Sequence, residues 1–234
     1  MKLSDKELRQ RLLPLKRVGD VPHDYLELVQ RGKIPRDLEK ALADGHIILD
    51  PFPEDLDVVL GSSSIDLRLG HTVEMMRIPL EVATINSERV IRRLTVDFRN
   101  PNEGRLLENQ KAVAIREGGS WIRFQLEANE TLELPPNLLT LAYTFEVICI
   151  PHDLEGALQG RSSLARKGIA THITSERFDA GFIGYLTMEV LNQGLANVNI
   201  YPGMLFAAMT FHQLSSPATV PYYRKRSAQF SGQR

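Results

Sequence analysis

Apolar residues recur at helical spacing among polar ones in the first part of the chain. Ser4 and Glu7 have the spacing of a capping box, and leucines follow at helical intervals. Pro14 is expected to end or kink this helix. Two further short helices are predicted, near His23 to Gln30 and from Pro35 to Ala43. We therefore interpret residues 1–45 as a helical N-terminal segment.

From His46 onward the pattern changes to short β-prone runs, several of which alternate apolar with polar residues. The clearest are Ile47 to Leu49, Ser64 to Leu69, Val90 to Val96 and Trp121 to Leu126. Glycine and proline separate them, which predicts a mainly-β sandwich or barrel over residues 46–220 and not a βαβ fold. Residues 221–234 are polar and basic with three aromatic residues, and composition alone predicts a flexible tail.

Composition narrows the functional classes. The chain has 28 Lys plus Arg and 29 Asp plus Glu, a net charge of −1, which argues against nucleic-acid and membrane-surface partners. The single cysteine, Cys149, lies in an apolar run and is expected to be a buried strand residue. The charged N-terminus lacks a signal-peptide core, and no apolar run reaches the ~18 residues of a membrane span. These features predict a soluble, cytoplasmic protein.

The segment 160–192 carries most of the candidate chemistry. The run from Gly156 to Ser163 superficially resembles a phosphate-binding loop, but the spacing between Gly156 and Gly160 is one residue short and arginine replaces the lysine. A glycine turn followed by Arg161, Ser162 and Ser163 still offers N–H groups, hydroxyls and a guanidinium to phosphate oxygens. The alternative is a surface turn in which one of the serines caps a short helix.

Glu189 lies in a run where Leu186, Met188 and Val190 share one strand face and Thr187 and Glu189 share the other. Glu189 is then either on a solvated face or in a pocket, where it could act as general acid and base.

Asp179 precedes Ala-Gly, which is typical of a turn, or it binds a sugar hydroxyl. Phe182 either stacks under a ribose or fills the core. The six histidines show no metal-ligand spacing, and one cysteine cannot complete a zinc deaminase signature, so no catalytic zinc is predicted.

Several motifs together resemble the dCTP deaminases, within the superfamily that also contains the trimeric dUTPases. They occur in the family's order, at residues 61–70, 160–168, 178–184, 187–192, 201–204 and 213–218. The glutamate of the fourth motif, Glu189, separates deaminases from plain dUTPases. The resemblance spans roughly Ala41 to the C-terminus and Met1 to Leu8.

The resemblance implies a mainly-β, distorted barrel of the dUTPase-like (β-clip) type with short helices, assembled as a homotrimer. Active sites would lie between subunits, and the tail would close over the nucleotide. The implied activity is hydrolysis of dCTP to dUTP and ammonia, feeding dUMP and dTTP synthesis. Water activation would be metal-free, and Mg²⁺ would be bound through the triphosphate.

The resemblance also implies residue roles. Glu189 would shuttle protons, while Arg166 and Ser162 would orient the water and stabilise developing charge. Backbone groups of Ile173 and Thr174 would recognise the cytosine edge. The remaining substrate contacts would come from Asp179 at the 3′-hydroxyl, Phe182 at the deoxyribose, Arg161, Ser163 and Arg177 at the triphosphate, and Tyr222, Gln229 and Gln233 on the tail.

Three departures from the family pattern leave alternatives open. Gln229 stands where lysine is usual, which removes a charge-assisted contact of ~1.5–3 kcal/mol unless Lys225 or Arg226 replaces it. Ala180 and Phe182 look like the bifunctional deaminase–diphosphatases that produce dUMP and pyrophosphate, whereas Arg177 looks monofunctional.

The residues between Leu8 and Asp37 have no family counterpart and are interpreted as an inserted helical segment, a structural cap or a partner-binding element. A non-catalytic regulator that binds a deoxynucleotide, including dUTP or dTTP, is the alternative from another class.

Overall fold

The computed structural model describes residues 1–76, 121–228 and 230–232, and the backbone of residues 81–85, 88–92 and 114–115. The helices are α1 (Asp5–Arg11), α2 (Tyr25–Gln30), α3 (Arg36–Ala43), α4 (Leu56–Val59) and α5 (Ser162–Ala165), with 3₁₀ turns at Leu15–Arg17 and Tyr222–Arg224. The strands are β1 (Leu12–Pro14), β2 (Ile47–Asp50), β3 (Ile65–Met76), β4 (Glu81–Ile85), β5 (Glu88–Arg92), β6 (Ala114–Ile115), β7 (Trp121–Gln125), β8 (Leu132–Leu134), β9 (Leu139–Cys149), β10 (Leu154–Gly160), β11 (Ile169–Ala170), β12 (Arg177–Phe178), β13 (Ile183–Asn192), β14 (Val198–Ile200) and β15 (Leu205–Gln213). Residues 93–96 of one predicted strand lie outside the described residues.

Eleven of the described strands join in one sheet, with a main path β1-β2-β9-β3-β15-β10-β12. Strand β9 is central because it pairs with β2, β3 and β13. Two smaller sheets of two strands each pair β8 with β14 and β4 with β5. The described residues are therefore mainly β, as the sequence predicted.

Register shifts distort the sheet next to the site. The pairing of β13 with β9 shifts between Tyr185 and Thr187. At this point the backbone N–H of Leu186 donates to Oγ1 of Thr144 at 2.9 Å, which replaces a missing ladder bond. Such bulges re-aim the side chains that follow them. In this chain the following residues of β13 include Thr187 and Glu189.

Two apolar clusters stabilise the fold. The larger lies within the sheet and includes fully buried residues such as Phe206 and Phe211. In the second cluster, Leu38 and Leu42 of α3 pack against Cys149 and Ile183 of the sheet. Cys149 is buried as predicted, and burial raises the pKa of its thiol.

The N-terminal segment is partly as predicted. Ser4 and Glu7 form the capping box, and α1 ends before Pro14. The sequence predicted only helices in this segment, but Leu12–Pro14 is strand β1, which pairs in parallel with β2. The prediction was wrong there because edge pairing with β2 satisfies this extended backbone, and such tertiary pairing leaves no local signal. Among the helices that the structure describes, none is long and apolar enough to span a membrane.

Candidate active site

A cavity of about 480 Å³ lies against β9 and β13. Its volume is within the range of small-molecule sites. Five of the residues predicted to act in catalysis or substrate binding line it, namely Arg177, Asp179, Phe182, Glu189 and Tyr222. The fold therefore brings together residues that are spread over 46 positions of the sequence, from 177 to 222.

Strand β13 places Glu189 on the cavity wall. Leu186, Met188 and Val190 are fully buried on one face, whereas Thr187 and Glu189 are half-buried on the other, as the alternation predicted. In the sheet register Glu189 lies opposite Leu141 of β9, which in turn lies opposite Glu74 of β3. These three side chains form one row across the cavity wall, so Glu189 lies in a pocket, which is one of the two positions that the sequence left open.

The other end of this row is a buried charged pair. Glu74 is only 4% exposed, and Nε of Arg123 donates to its Oε1 at 2.7 Å. Tyr143 stands beside the pair, and its pKa is raised by burial and by the charge of Glu74. The sequence analysis missed Glu74 and Tyr143 because they reach the cavity only through long-range strand pairing.

Asp179 lines the cavity and lies near two cations. Nζ of Lys225 is 2.9 Å from its Oδ2, and Nε of Arg177 is 3.6 Å from its Oδ1. The backbone forms the predicted turn, since the N–H of Phe182 donates to the carbonyl of Asp179 at 3.0 Å. The carboxylate thus lies on the surface of the cavity within reach of positive charge from both sides.

Aromatic rings line the wall next to Asp179. Phe182 is 5% exposed, and its ring meets that of Phe178 edge-on with centroids 5.2 Å apart. The ring of Tyr222 lies 6.0 Å from that of Phe182. Phe182 therefore fills the core and faces the cavity at once, so the two interpretations of this residue are compatible.

Two residues of the C-terminal segment line the cavity. Tyr222 and Phe230 both line it, and the N–H of Phe230 donates to Oη of Tyr222. Composition alone predicted a flexible tail, but the described tail residues pack against the protein. Tyr223 is only 8% exposed, and its hydroxyl donates a hydrogen bond to Glu39. Two predicted tail contacts, Gln229 and Gln233, lie outside the described residues.

The residues predicted on α5 lie elsewhere. Ser162, Ser163 and Arg166 are exposed and are not among the described residues that line the cavity. Arg161 is held by the fold, with Nη2 2.9 Å from Oδ2 of Asp66 and Nη1 donating to the carbonyl of Leu205 at 3.0 Å. Within one chain, the residues 161–166 therefore do not line the cavity that contains Glu189.

The loop after β11 contributes a residue that sequence reasoning did not select. Ile173 and Thr174 are exposed, and neither is among the described lining residues. The next residue, Ser175, does line the cavity. Its position directly after the two predicted residues is a signal that could have found it.

A second cavity, about 600 Å³ in volume, lies between α2 and the sheet. Tyr25 donates a hydrogen bond to Asp50 at 3.4 Å in its wall, and burial raises the pKa of Asp50. This larger cavity contains none of the predicted site residues, so we assign the chemistry to the smaller one. Tyr143 borders both cavities.

Within the part of the chain that the structure describes, no three or more His, Cys, Asp or Glu side chains lie together as a possible metal site. The sequence-based expectation that zinc takes no part in the reaction stays a prediction.

Comparison with known proteins identifies the family. The dCTP deaminase-like family profile matches residues 35–214. A dCTP deaminase from Thermomicrobium roseum is 37% identical over 199 residues, which cover 85% of this chain and 88% of that protein. A protein named dCTP deaminase, dUMP-forming, from Dictyoglomus thermophilum is 31% identical over 199 residues, 85% of this chain and 89% of that protein. The chain belongs to the dCTP deaminase family, which confirms the resemblance found in its motifs.

Among solved structures, 2′-deoxycytidine 5′-triphosphate deaminase from Agrobacterium tumefaciens matches with a TM-score of 0.44 and 16% sequence identity. The match covers 69% of this chain and 40% of that chain.

Proposed function

We propose that the protein hydrolyses dCTP to dUTP and ammonia. The observation that carries this proposal is the position of Glu189 in one cavity with Asp179, Phe182 and Tyr222, the residues expected to hold a deoxynucleotide. The names of the relatives agree with it, since they are dCTP deaminases that align with most of this chain. The reaction would supply dUTP for dUMP and dTTP synthesis, in the cytoplasm.

In the proposed mechanism Glu189 takes a proton from water, whose oxygen attacks C4 of the cytosine, and transfers that proton to ring N3. A second transfer through Glu189 moves the remaining proton of the water to the exocyclic amine. The C4–N bond then breaks, ammonia leaves, and the C4 carbonyl of dUTP remains. A carboxylate that accepts and returns the same protons is an ordinary general acid–base catalyst.

Ser162 and Arg166 would orient the attacking water and stabilise the charge that develops in the transition state. Because both residues are exposed and neither lines the cavity of its own chain, we propose that they reach Glu189 of a neighbouring subunit in a homotrimer. Backbone groups of Ile173 and Thr174 would recognise the cytosine edge.

The sugar would lie against the aromatic wall. Asp179 would accept a hydrogen bond from the 3′-hydroxyl, and the ring of Phe182 would leave no room for a 2′-hydroxyl. Arg161, Ser163 and Arg177 would bind the triphosphate, with Tyr222, Gln229 and Gln233 closing over it. Mg²⁺ would enter with the triphosphate, whose oxygens are the ligands that this ion prefers.

A second candidate is a bifunctional enzyme that also cleaves dUTP to dUMP and pyrophosphate. The relative named dUMP-forming favours it, as does the Ala-Gly-Phe sequence of residues 180–182. Incubation of the purified protein with dCTP and Mg²⁺, followed by chromatography, separates the candidates. Accumulating dUTP supports deamination alone, dUMP with pyrophosphate supports the bifunctional enzyme, and unchanged dCTP contradicts both.

A further inference from the structure

The C-terminal residues that line the cavity belong to the segment 221–228 and 230–232, here called the roof segment. Its first residues are hydrogen-bonded to the loop before β13, since the N–H of Tyr222 donates to the carbonyl of Ala180 at 2.8 Å. Tyr222 and Phe230 line the cavity, and Lys225 contacts Asp179. The position of this segment therefore determines the shape of the site.

Helix α3 holds the middle of the roof segment. Oη of Tyr223 donates to Oε1 of Glu39 at 3.0 Å, and the guanidinium of Arg224 pairs with the same carboxylate. The Tyr223 ring is buried in the apolar cluster that contains Leu38 and Leu42. One glutamate and one apolar cluster of the N-terminal segment thus fix two consecutive roof residues.

Helix α2 holds the end of the roof segment. Nε2 of Gln30 donates to the carbonyl of Gly232 at 2.6 Å, while the N–H of Gly232 donates to Ile183 at 2.6 Å. Gly232 has φ of +72°, and a Cβ there would lie 2.5 Å from the carbonyl oxygen of Leu26. Gly232 therefore fits closely between α2 and the start of β13.

We propose that α2 and α3 form a clamp that holds the roof segment over the cavity before nucleotide binds, with Glu39 and Gln30 as positioning residues. Helix α2 lies in the insertion without a family counterpart and outside residues 35–214, which the family profile matches, whereas α3 and its Glu39 lie within those residues. Ordering a tail on binding weakens the affinity for its ligand, so an already ordered roof lowers the KM for nucleotide. This role in catalysis rests on the proposed function, whereas the clamp itself does not.

Trypsin cleavage can report whether the roof segment is held in place, because Arg224, Lys225 and Arg226 are trypsin sites within it. In the nucleotide-free protein, the double variant Glu39→Ala/Gln30→Ala is expected to be cut at these sites roughly tenfold faster than wild type, since cleavage follows the opening equilibrium. Lys40→Ala, an exposed position on the same helix, is the matched control and should be cut at the wild-type rate. Equal cleavage of the double variant and wild type would overturn the clamp.

Steady-state kinetics with dCTP test the positioning role. We expect KM to rise roughly tenfold in the double variant with kcat nearly unchanged, and Glu39→Gln, which keeps an acceptor for Tyr223, to restore part of the loss. Faster cleavage without a change in KM would overturn the positioning role. If the double variant fails to fold, Tyr223→Phe removes only the hydroxyl and is judged by the same criteria. A wild-type protein that leaves dCTP unchanged would remove the proposed function, and the trypsin rates would still decide the clamp.

Discussion

Replacing Asp179 by asparagine separates binding from stability. The Asp179 and Lys225 side chains are 31% and 40% exposed, and an ion pair of this kind contributes at most ~1 kcal/mol to the free energy of unfolding. A hydrogen bond from the 3′-hydroxyl to the carboxylate contributes ~1.5–3 kcal/mol. The variant should therefore unfold almost like wild type, while KM for dCTP rises by a factor of roughly 10 to 150.

Urea unfolding and initial rates against dCTP concentration measure the two effects. Asp57→Asn is a matched control, because it removes the same charge from an exposed ion pair with Arg9, away from the cavity. The reasoning is refuted if Asp179→Asn leaves KM unchanged. It is also refuted if the variant loses more than about 2 kcal/mol of stability, since Asp179 would then be mainly a structural residue.

Two further predictions concern stability. Glu146 is 3% exposed and accepts a hydrogen bond from Nε of Arg68 at 2.6 Å. Glu146→Ala should therefore lower the free energy of unfolding by about 3 kcal/mol, because it leaves the Arg68 charge unpaired. A urea midpoint equal to that of wild type would contradict this. Burial lowers the pKa of His152, which contacts the Tyr223 hydroxyl, so its contribution is complete above the ordinary value of ~6.5 and is lost as pH falls below it. Urea unfolding between about pH 7.5 and about pH 5.5 should show a smaller loss of stability in His152→Gln than in wild type, and an equal loss would contradict the assignment.

The sequence contained enough local signal to place one wall of the site. The alternation around Glu189 put Leu186 and Met188 in the core and Glu189 on the opposite face, and the turn at Asp179 followed from its Ala-Gly neighbours. Such periodicities act over a few residues, so they can be recognised without knowing which strands pair.

The rest of this wall was not predictable in the same way. Glu74 and Tyr143 become neighbours of Glu189 only because β3 and β13 pair with opposite edges of β9. Pairing between strands that are distant in sequence depends on the whole sheet, and no local pattern specifies it. The roof segment is similar, since its order comes from Glu39 and the α2 helix and not from its own polar composition.

The most direct test of the central claim is the rate of ammonia release from dCTP by Glu189→Gln. If Glu189 shuttles the protons, release should fall by at least about a hundredfold, while calorimetry still detects dCTP binding. Glu133→Gln, an exposed glutamate on β8, should keep the wild-type rate. Release of ammonia by Glu189→Gln at the wild-type rate would contradict the mechanism.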